Sequence, residues 1–120
     1  MKALLDTNIL IDYLNGIEAA RVEIDRYEQP IISPITWMEV MVGATEDEQQ
    51  AVRSFLARFP LVSIDAGVAE TAVTIRCKHR MRLPDAIIWA SAKRENALLV
   101  SRNTKDFPAD SPGVRVPYRI

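Results

Sequence analysis

The chain has 120 residues, 48% of them hydrophobic and 26% charged, a globular composition that excludes a disordered tail or a fibrous repeat. Its formal charge of −1 at pH 7 gives no global hold on nucleic acid or an anionic membrane, so any polyanion must meet a local basic patch. A single cysteine, Cys77, and a single histidine, His79, exclude an internal disulfide, a cysteine-built zinc site and a two-histidine metal centre.

Residues 2–5 read as a short buried strand, with Asp6-Thr7-Asn8 directly behind it. Ile9, Leu10, Tyr13 and Leu14 recur at helical spacing and stop at Asn15-Gly16. Residues 18–27 suggest a second, more exposed helix. Pro30-Ile31-Ile32 is a short apolar strand. Ser33-Pro34 sets an N-cap and a first-position proline for a helix that runs to Gly43. Thr45-Glu46-Asp47-Glu48 opens a further helix that carries Val52, Phe55 and Leu56 and ends before Pro60.

Residues 61–64 are a third strand, and Asp65 caps a helix over about 68–81. Pro84 begins the next helix, with Asp85 beside it and Ile87, Ile88, Trp89 and Ala92 behind. Residues 97–100 form the clearest buried strand, 101–106 a polar loop, and 114–116 a final edge strand. Alternating strands and helices with short connections predict an α/β fold around a mostly parallel sheet. No apolar run approaches the ~20 residues of a membrane span. Asp6 comes too early for a signal peptide's apolar region, so a soluble cytoplasmic protein is expected.

In open α/β sheets, ligands bind beyond the carboxyl ends of the strands. Here those ends are acidic. Asp6 follows the first strand, Asn103 and Asp106 follow the strand at 97–100, and Asp85 starts the helix that leads into it. Glu39 lies among Trp37, Met38, Val40 and Met41. Singly, each acid has a structural reading: Asp6 and Asp65 as caps, Asp85 at a helix dipole, Glu39 facing outward, Asp106 in a loop. Jointly, carboxylates gathered at one sheet end repel unless cations hold them together. Oxygen-only ligation suits Mg²⁺ or Mn²⁺, which polarise a phosphodiester and activate water without histidine or cysteine.

Four stretches then stand in order: Leu5-Asp6-Thr7-Asn8, Ser33-Pro34-Ile35-Thr36-Trp37-Met38-Glu39, Leu83-Pro84-Asp85-Ala86 and Ser101-Arg102-Asn103-Thr104-Lys105-Asp106-Phe107. Together they resemble the ordered motifs of PIN domains, and among these the VapC-type ribonuclease toxins of bacterial toxin–antitoxin pairs. The likeness covers essentially the whole chain, so one PIN domain over residues 1–120 is expected. It implies that Asp6 and Asp85 bind metal and that Glu39 is the acid from the middle helix. Asn103 is neutral in the terminal motif, so the resemblance assigns the fourth carboxylate to Asp106. Thr7, Asn8 and Asn103 fall to supporting positions. The implied activity is Mg²⁺- or Mn²⁺-dependent endoribonucleolytic cleavage by water, with no covalent enzyme intermediate. A cognate antitoxin and a homodimer are implied partners.

For phosphates, the densest basic stretch is Arg76-Cys77-Lys78-His79-Arg80-Met81-Arg82, which runs into Asp85, while Arg102 and Lys105 interleave with Asn103 and Asp106. Lys78, Arg80, Arg82, Arg102 and Lys105 are therefore candidate RNA contacts. The first three serve equally as cations at a helix end. His79 reads as a surface residue, and Trp37, Trp89 and Phe107 as core rather than base-stacking platforms. A receiver-like phosphoacceptor would use Asp65 and Lys105, but Thr7 and Asn8 stand where its acidic pair is needed. A haloacid-dehalogenase-like phosphatase fails at Asn8 likewise. An inactive PIN-like interaction module would rest on Asn103 alone.

Overall fold

A computed structural model describes residues 2–120. In chain order the elements are β1 (Ala3–Leu5), α1 (Thr7–Leu14), α2 (Glu18–Asp25), α3 (Pro34–Val42), a 3₁₀ turn (Glu46–Glu48) running into α4 (Gln49–Leu56), α5 (Ala66–His79), α6 (Leu83–Arg94), β2 (Leu98–Val100) and β3 (Val114–Arg115). The strands pair in the order β1-β2-β3, all parallel, with Leu4 opposite Leu99 and Val100 opposite Arg115. Single bridges extend the sheet beyond β1, Leu4 to Ile31 and Ile32 to Leu61.

The strand expected over 61–64 shrinks to that last bridge. Ile32 N–H donates to the Pro60 carbonyl at 3.1 Å and Val62 N–H to the Ile32 carbonyl at 2.9 Å, and the pairing ends there. Leu61 and Ile64 at this outer edge are 52% and 39% exposed, so little burial holds more of the segment against the sheet. Asp65 then turns the chain into α5, its Oδ1 accepting from Val68 N–H at 2.9 Å. Ser33 caps α3 in the same way through Ile35 N–H at 3.0 Å, with Pro34 in its first turn.

Side-chain alternation along β1 sorts the core into two layers. Leu4 joins Leu99, Ile88, Trp89 and Phe107 on the α5–α6 face, whereas Ala3 and Leu5 join Ile9, Leu10, Val40, Phe55 and Leu56 on the α1–α4 face. Trp89 and Phe107 meet edge-to-face at 5.9 Å in that first layer, so both belong to the core. Trp37 packs against the other layer with the Arg53 guanidinium 5.4 Å above its ring. His79 is exposed and lies against Trp89.

Helix α2 is more exposed than α1, as expected, yet it carries a buried acid. Its Glu23 is buried and receives Arg115 through Nε at 2.7 Å and Nη2 at 3.0 Å, and the Tyr27 hydroxyl at 2.7 Å. Burial raises the carboxyl's pKa, but these donors outweigh it and hold Glu23 below its ordinary range. The cluster ties α2 to edge strand β3.

Candidate active site

Because β1 and β2 run parallel, Leu5 and Val100 end at the same sheet edge, and the residues after them meet. Asp6 N–H donates to the Val100 carbonyl at 2.9 Å, and Ser101 N–H to the Arg115 carbonyl at 3.0 Å. Asp6 is the N-cap of α1 as well as a candidate site residue. One carboxyl oxygen accepts from Thr7 N–H at 2.8 Å; the other accepts from Ser101 Oγ–H at 2.7 Å and Asn8 Nδ2–H at 3.1 Å. Thr7 Oγ1 donates to Glu39 Oε1 at 2.6 Å and lies 3.0 Å from the buried Thr36 hydroxyl, so α1 fixes the acid that α3 presents.

Asp85 sits in the first turn of α6, buried, with Arg82 Nε donating to its Oδ2 at 3.1 Å. Asp106 is half-buried in the loop after β2. The neutral Asn103 proves to be its support. Asn103 Nδ2 donates to Asp106 Oδ2 at 2.8 Å, while Asn103 Oδ1 accepts from the N–H groups of Lys105 at 3.1 Å and Asp106 at 3.3 Å. The side chain thereby builds the turn that presents the fourth carboxylate.

The two buried candidates, Asp6 and Asp85, both feel the charge of other acids among the four. Burial pushes Asp6 up to about 6, with repulsion from Asp85 and Glu39 adding to it and the bonds from Ser101 and Thr7 opposing it. Asp85 is also raised, first by burial and further by Asp106 and Glu39, in spite of Arg82. The other two buried acids behave oppositely. Glu23 is lowered, as above. Asp12 accepts Arg102 at both oxygens, Nη2–Oδ1 being 3.0 Å, and the Tyr118 hydroxyl at 2.7 Å. Burial raises Asp12, but those partners prevail and hold it below its ordinary range. Asp12 and Glu23 each have an arginine on both oxygens and a tyrosine hydroxyl. Asp6 has three hydrogen-bond donors but no cation, and Asp85 has only the exposed Arg82, so both remain raised, which makes them candidates for a functional site.

Hard oxygen donors held in mutual repulsion fit a divalent cation of the Mg²⁺ or Mn²⁺ class. Among the described residues, no three of the acids are drawn together closely enough to close a ligand shell by themselves. An open centre of this kind suits an ion that keeps several waters and takes one or two carboxylates. Of the candidate RNA contacts, Lys78, Arg80 and Lys105 are exposed, Arg82 is paired with Asp85 at the rim, and Arg102 is paired with Asp12.

Sequence reasoning missed Ser101. Its fully buried hydroxyl donates to Asp6 and accepts from Asn8 Nδ2–H at 3.1 Å and Asn103 N–H at 3.0 Å, so one oxygen links three motif residues. A serine directly behind a buried strand and beside a post-strand acid was the available signal. Ser101→Ala should weaken Mn²⁺ binding about 10- to 100-fold by releasing Asp6. Calorimetric titration of the metal-free protein checks this, and unchanged affinity would reduce Ser101 to packing.

The sequence profile of the PIN domain matches residues 3–109, a span that takes in all four acids. The chain belongs to the PIN domain family. A chain in the solved toxin-antitoxin complex from Klebsiella pneumoniae is 47% identical to this PIN domain, with a TM-score of 0.92 over 98% of this chain and 99% of that one. The DNA-bound VapBC structure from Salmonella typhimurium contains a chain 26% identical, with a TM-score of 0.78 over 96% of each. Ribonuclease VapC19 of Mycobacterium tuberculosis is 29% identical over 96% of this chain and 98% of its own length. The parallel sheet flanked by helices is therefore the PIN architecture, as its motifs led one to expect.

Proposed function

We propose that this PIN domain is a divalent-metal-dependent endoribonuclease and the toxin of a toxin–antitoxin pair, acting as a single domain over residues 1–120. The observation that carries the reading is the contrast among its buried acids. Asp6 behind β1 and Asp85 in the first turn of α6 are raised, by burial first and by neighbouring acids further, whereas Asp12 and Glu23 are lowered by arginine and tyrosine partners. The likeness to VapC19 and to the toxin-antitoxin structures supports the substrate class and the partner.

Asp6 and Asp85 would hold Mg²⁺ or Mn²⁺, with Glu39 and Asp106 completing the acidic centre. When bound, such a cation polarises the phosphoryl oxygen and lowers the pKa of coordinated water. The chain's own groups then divide the labour. Ser101, Thr7 N–H and Asn8 fix the Asp6 carboxylate. Glu39 and Asp106, half-buried, accept hydrogen bonds from water entering the centre and take its proton. Ser101 is fully buried behind Asp6 and Thr7 Oγ1 is bonded to Glu39, so neither hydroxyl is free to attack, which supports water as the nucleophile. Arg82, paired with Asp85, and the exposed Lys105, next to Asp106 in the chain, offer positive charge for backbone phosphates, and the exposed Lys78 and Arg80 shortly before Arg82 are further candidates.

An apolar groove of about 460 Å³ between α1, α3 and α4, lined by Ile11, Leu14, Val40 and Val52, is a surface of the kind an amphipathic antitoxin segment covers. Ile11 and Leu14 are 39% and 42% exposed there. A homodimer and a cytoplasmic location complete the proposal. Among the described residues no helix is long and apolar enough to cross a membrane. The receiver-like alternative loses its acceptor, because Asp65 is engaged in capping α5. The inactive-module alternative loses its one support, because Asn103 orients an acid.

The test is RNA cleavage by antitoxin-free protein in Mg²⁺, Mn²⁺ or EDTA, beside Asp85→Asn. Cutting should occur with either metal, stop in EDTA and fall at least ~100-fold in the variant. Cutting that persists in EDTA, or full activity in Asp85→Asn, would overturn the reading.

A further inference from the structure

Arg82 is, among the described residues, the one cation that pairs with any of the four acids. Its position is locally unfavourable. It is the N-cap residue of α6, its side chain makes no cap, and the positive end of a helix dipole repels a guanidinium. What offsets this is the acidic centre. Nε lies 3.1 Å from Asp85 Oδ2, and the charges of Asp106 and Glu39 also act on it. The two partners differ in exposure: the Arg82 side chain is 71% exposed and that of Asp85 8%. A rim pair of this kind is weakly held and readily exchanged.

Resting on the function proposed above, we infer that Arg82 is an exchangeable counter-ion: it occupies the Asp85 carboxylate in the metal-free protein, yields it to the divalent cation, and then holds a backbone phosphate of the RNA. A cation at Asp6 and Asp85 removes the negative charge that keeps Arg82 at the rim. The freed guanidinium stands beside the centre with a planar donor fork, which matches a phosphate's oxygens bidentately. One side chain thereby competes with the metal and assists the substrate, so its loss moves the two affinities in opposite directions. A purely structural residue would lower both.

The test compares wild type, Arg82→Gln, Arg82→Lys and Asp85→Asn, all purified without antitoxin. Mn²⁺ affinity is read by calorimetry in the absence of RNA. Binding of a short labelled oligouridylate is read by fluorescence anisotropy in saturating Mn²⁺, with the oligonucleotide checked intact after each reading. Arg82→Gln should bind Mn²⁺ about two- to fivefold more tightly. It should bind the oligonucleotide about three- to tenfold more weakly, with its salt-dependence slope reduced by about 0.7, the loss of one phosphate contact on a single strand. Arg82→Lys should return Mn²⁺ affinity to that of wild type.

Unchanged or weaker Mn²⁺ binding in Arg82→Gln overturns the competition, and unchanged oligonucleotide binding overturns the phosphate contact. The Asp85→Asn arm tests the underlying site separately. If it binds Mn²⁺ as wild type does, the metal centre itself is misassigned, whatever Arg82 does.

Discussion

Asp6→Asn should abolish metal-dependent cleavage and, at the same time, make the metal-free protein harder to unfold. The loss of activity follows from removing one anchor of the cation. A metal clamp supplies several kcal/mol of transition-state stabilisation, so a fall of at least ~10²-fold is expected. The gain in stability follows from the carboxyl's own environment. Asp6 titrates at about 6 in the fold against an ordinary value of 3.8, so the folded state binds the proton more tightly than the unfolded chain. Stability from this group is fully present below pH ~4 and is lost as pH rises through ~6, a change of up to about 3 kcal/mol. Asparagine keeps the acceptor for Thr7 N–H and removes the charge, but its NH2 faces Asn8 Nδ2–H and the Ser101 hydroxyl, so the variant escapes only part of that loss. At pH 7.5 in EDTA it should be up to about 2 kcal/mol more stable than wild type, the lost acceptor offsetting part of the gain, and its advantage should shrink as pH falls from 6 to 4. Urea unfolding across that range checks it. A variant less stable than wild type at pH 7.5 would mean that the Asp6 charge is already compensated, and the argument for a metal would weaken with it.

The same physics explains why a nuclease centre is costly to keep in a small domain. Ser101, Thr7 and Asn8 supply hydrogen bonds to Asp6 but no positive charge. They fix its direction and leave its charge without a cationic partner. Replacing the centre by uncharged residues therefore stabilises the fold and removes its chemistry, the usual trade between stability and function.

Much of this was legible in the sequence because strand and acid are adjacent in the chain. Asp6 follows Leu5 directly, and Asp85 and Asp106 lie within a few residues of a helix start and a strand end. The parallel pairing of β1 and β2 then puts Asp6 and the loop that carries Asp106 at one sheet edge, and that could be inferred from element order. Pairings across long sequence separation were not legible. Glu23 looks like a solvated acid on an amphipathic helix until Arg115, 92 positions later, is seen against it. Ser101 looks like the first residue of a polar loop, and its link to Asp6 spans 95 positions. The third strand was over-read for the converse reason. Leu61-Val62-Ser63-Ile64 has strand composition, but it lies at the outer edge of the sheet, where burial too slight to sustain a ladder leaves a single bridge. Asn103 could be seen to lack a charge. Its contribution lies in the geometry of its amide, which composition does not reveal.

Asp12→Ala should unfold the protein more readily and disturb the centre from a distance. Asp12 is buried and takes both donors of the Arg102 fork and the Tyr118 hydroxyl, so its removal strands a partly buried guanidinium and a phenol together. Breaking a well-buried pair costs 3–5 kcal/mol, and the partial exposure of Arg102 brings the expected loss to about 2–4 kcal/mol. In a chain of 120 residues that is a fall in Tm of about 10 °C. Its pH dependence should oppose that of Asp6. The Asp12 carboxyl is held below its ordinary range, so its contribution is present above pH ~4 and lost as pH falls through the lowered folded value. Calorimetry on wild type and Asp12→Ala should show a gap that narrows only below pH ~4. The functional consequence runs through the backbone. Arg102 N–H donates to Asn8 Oδ1 at 3.3 Å, between Ser101, which holds Asp6, and Asn103, which holds Asp106. With Arg102 unanchored, both acids lose a fixed reference, and Mn²⁺ affinity should fall about tenfold at a temperature where the variant remains folded. Asp12→Asn retains acceptors for the phenol and one guanidinium donor and should recover most of that affinity. If Asp12→Ala lost stability but bound Mn²⁺ as wild type does, the network would serve the fold alone.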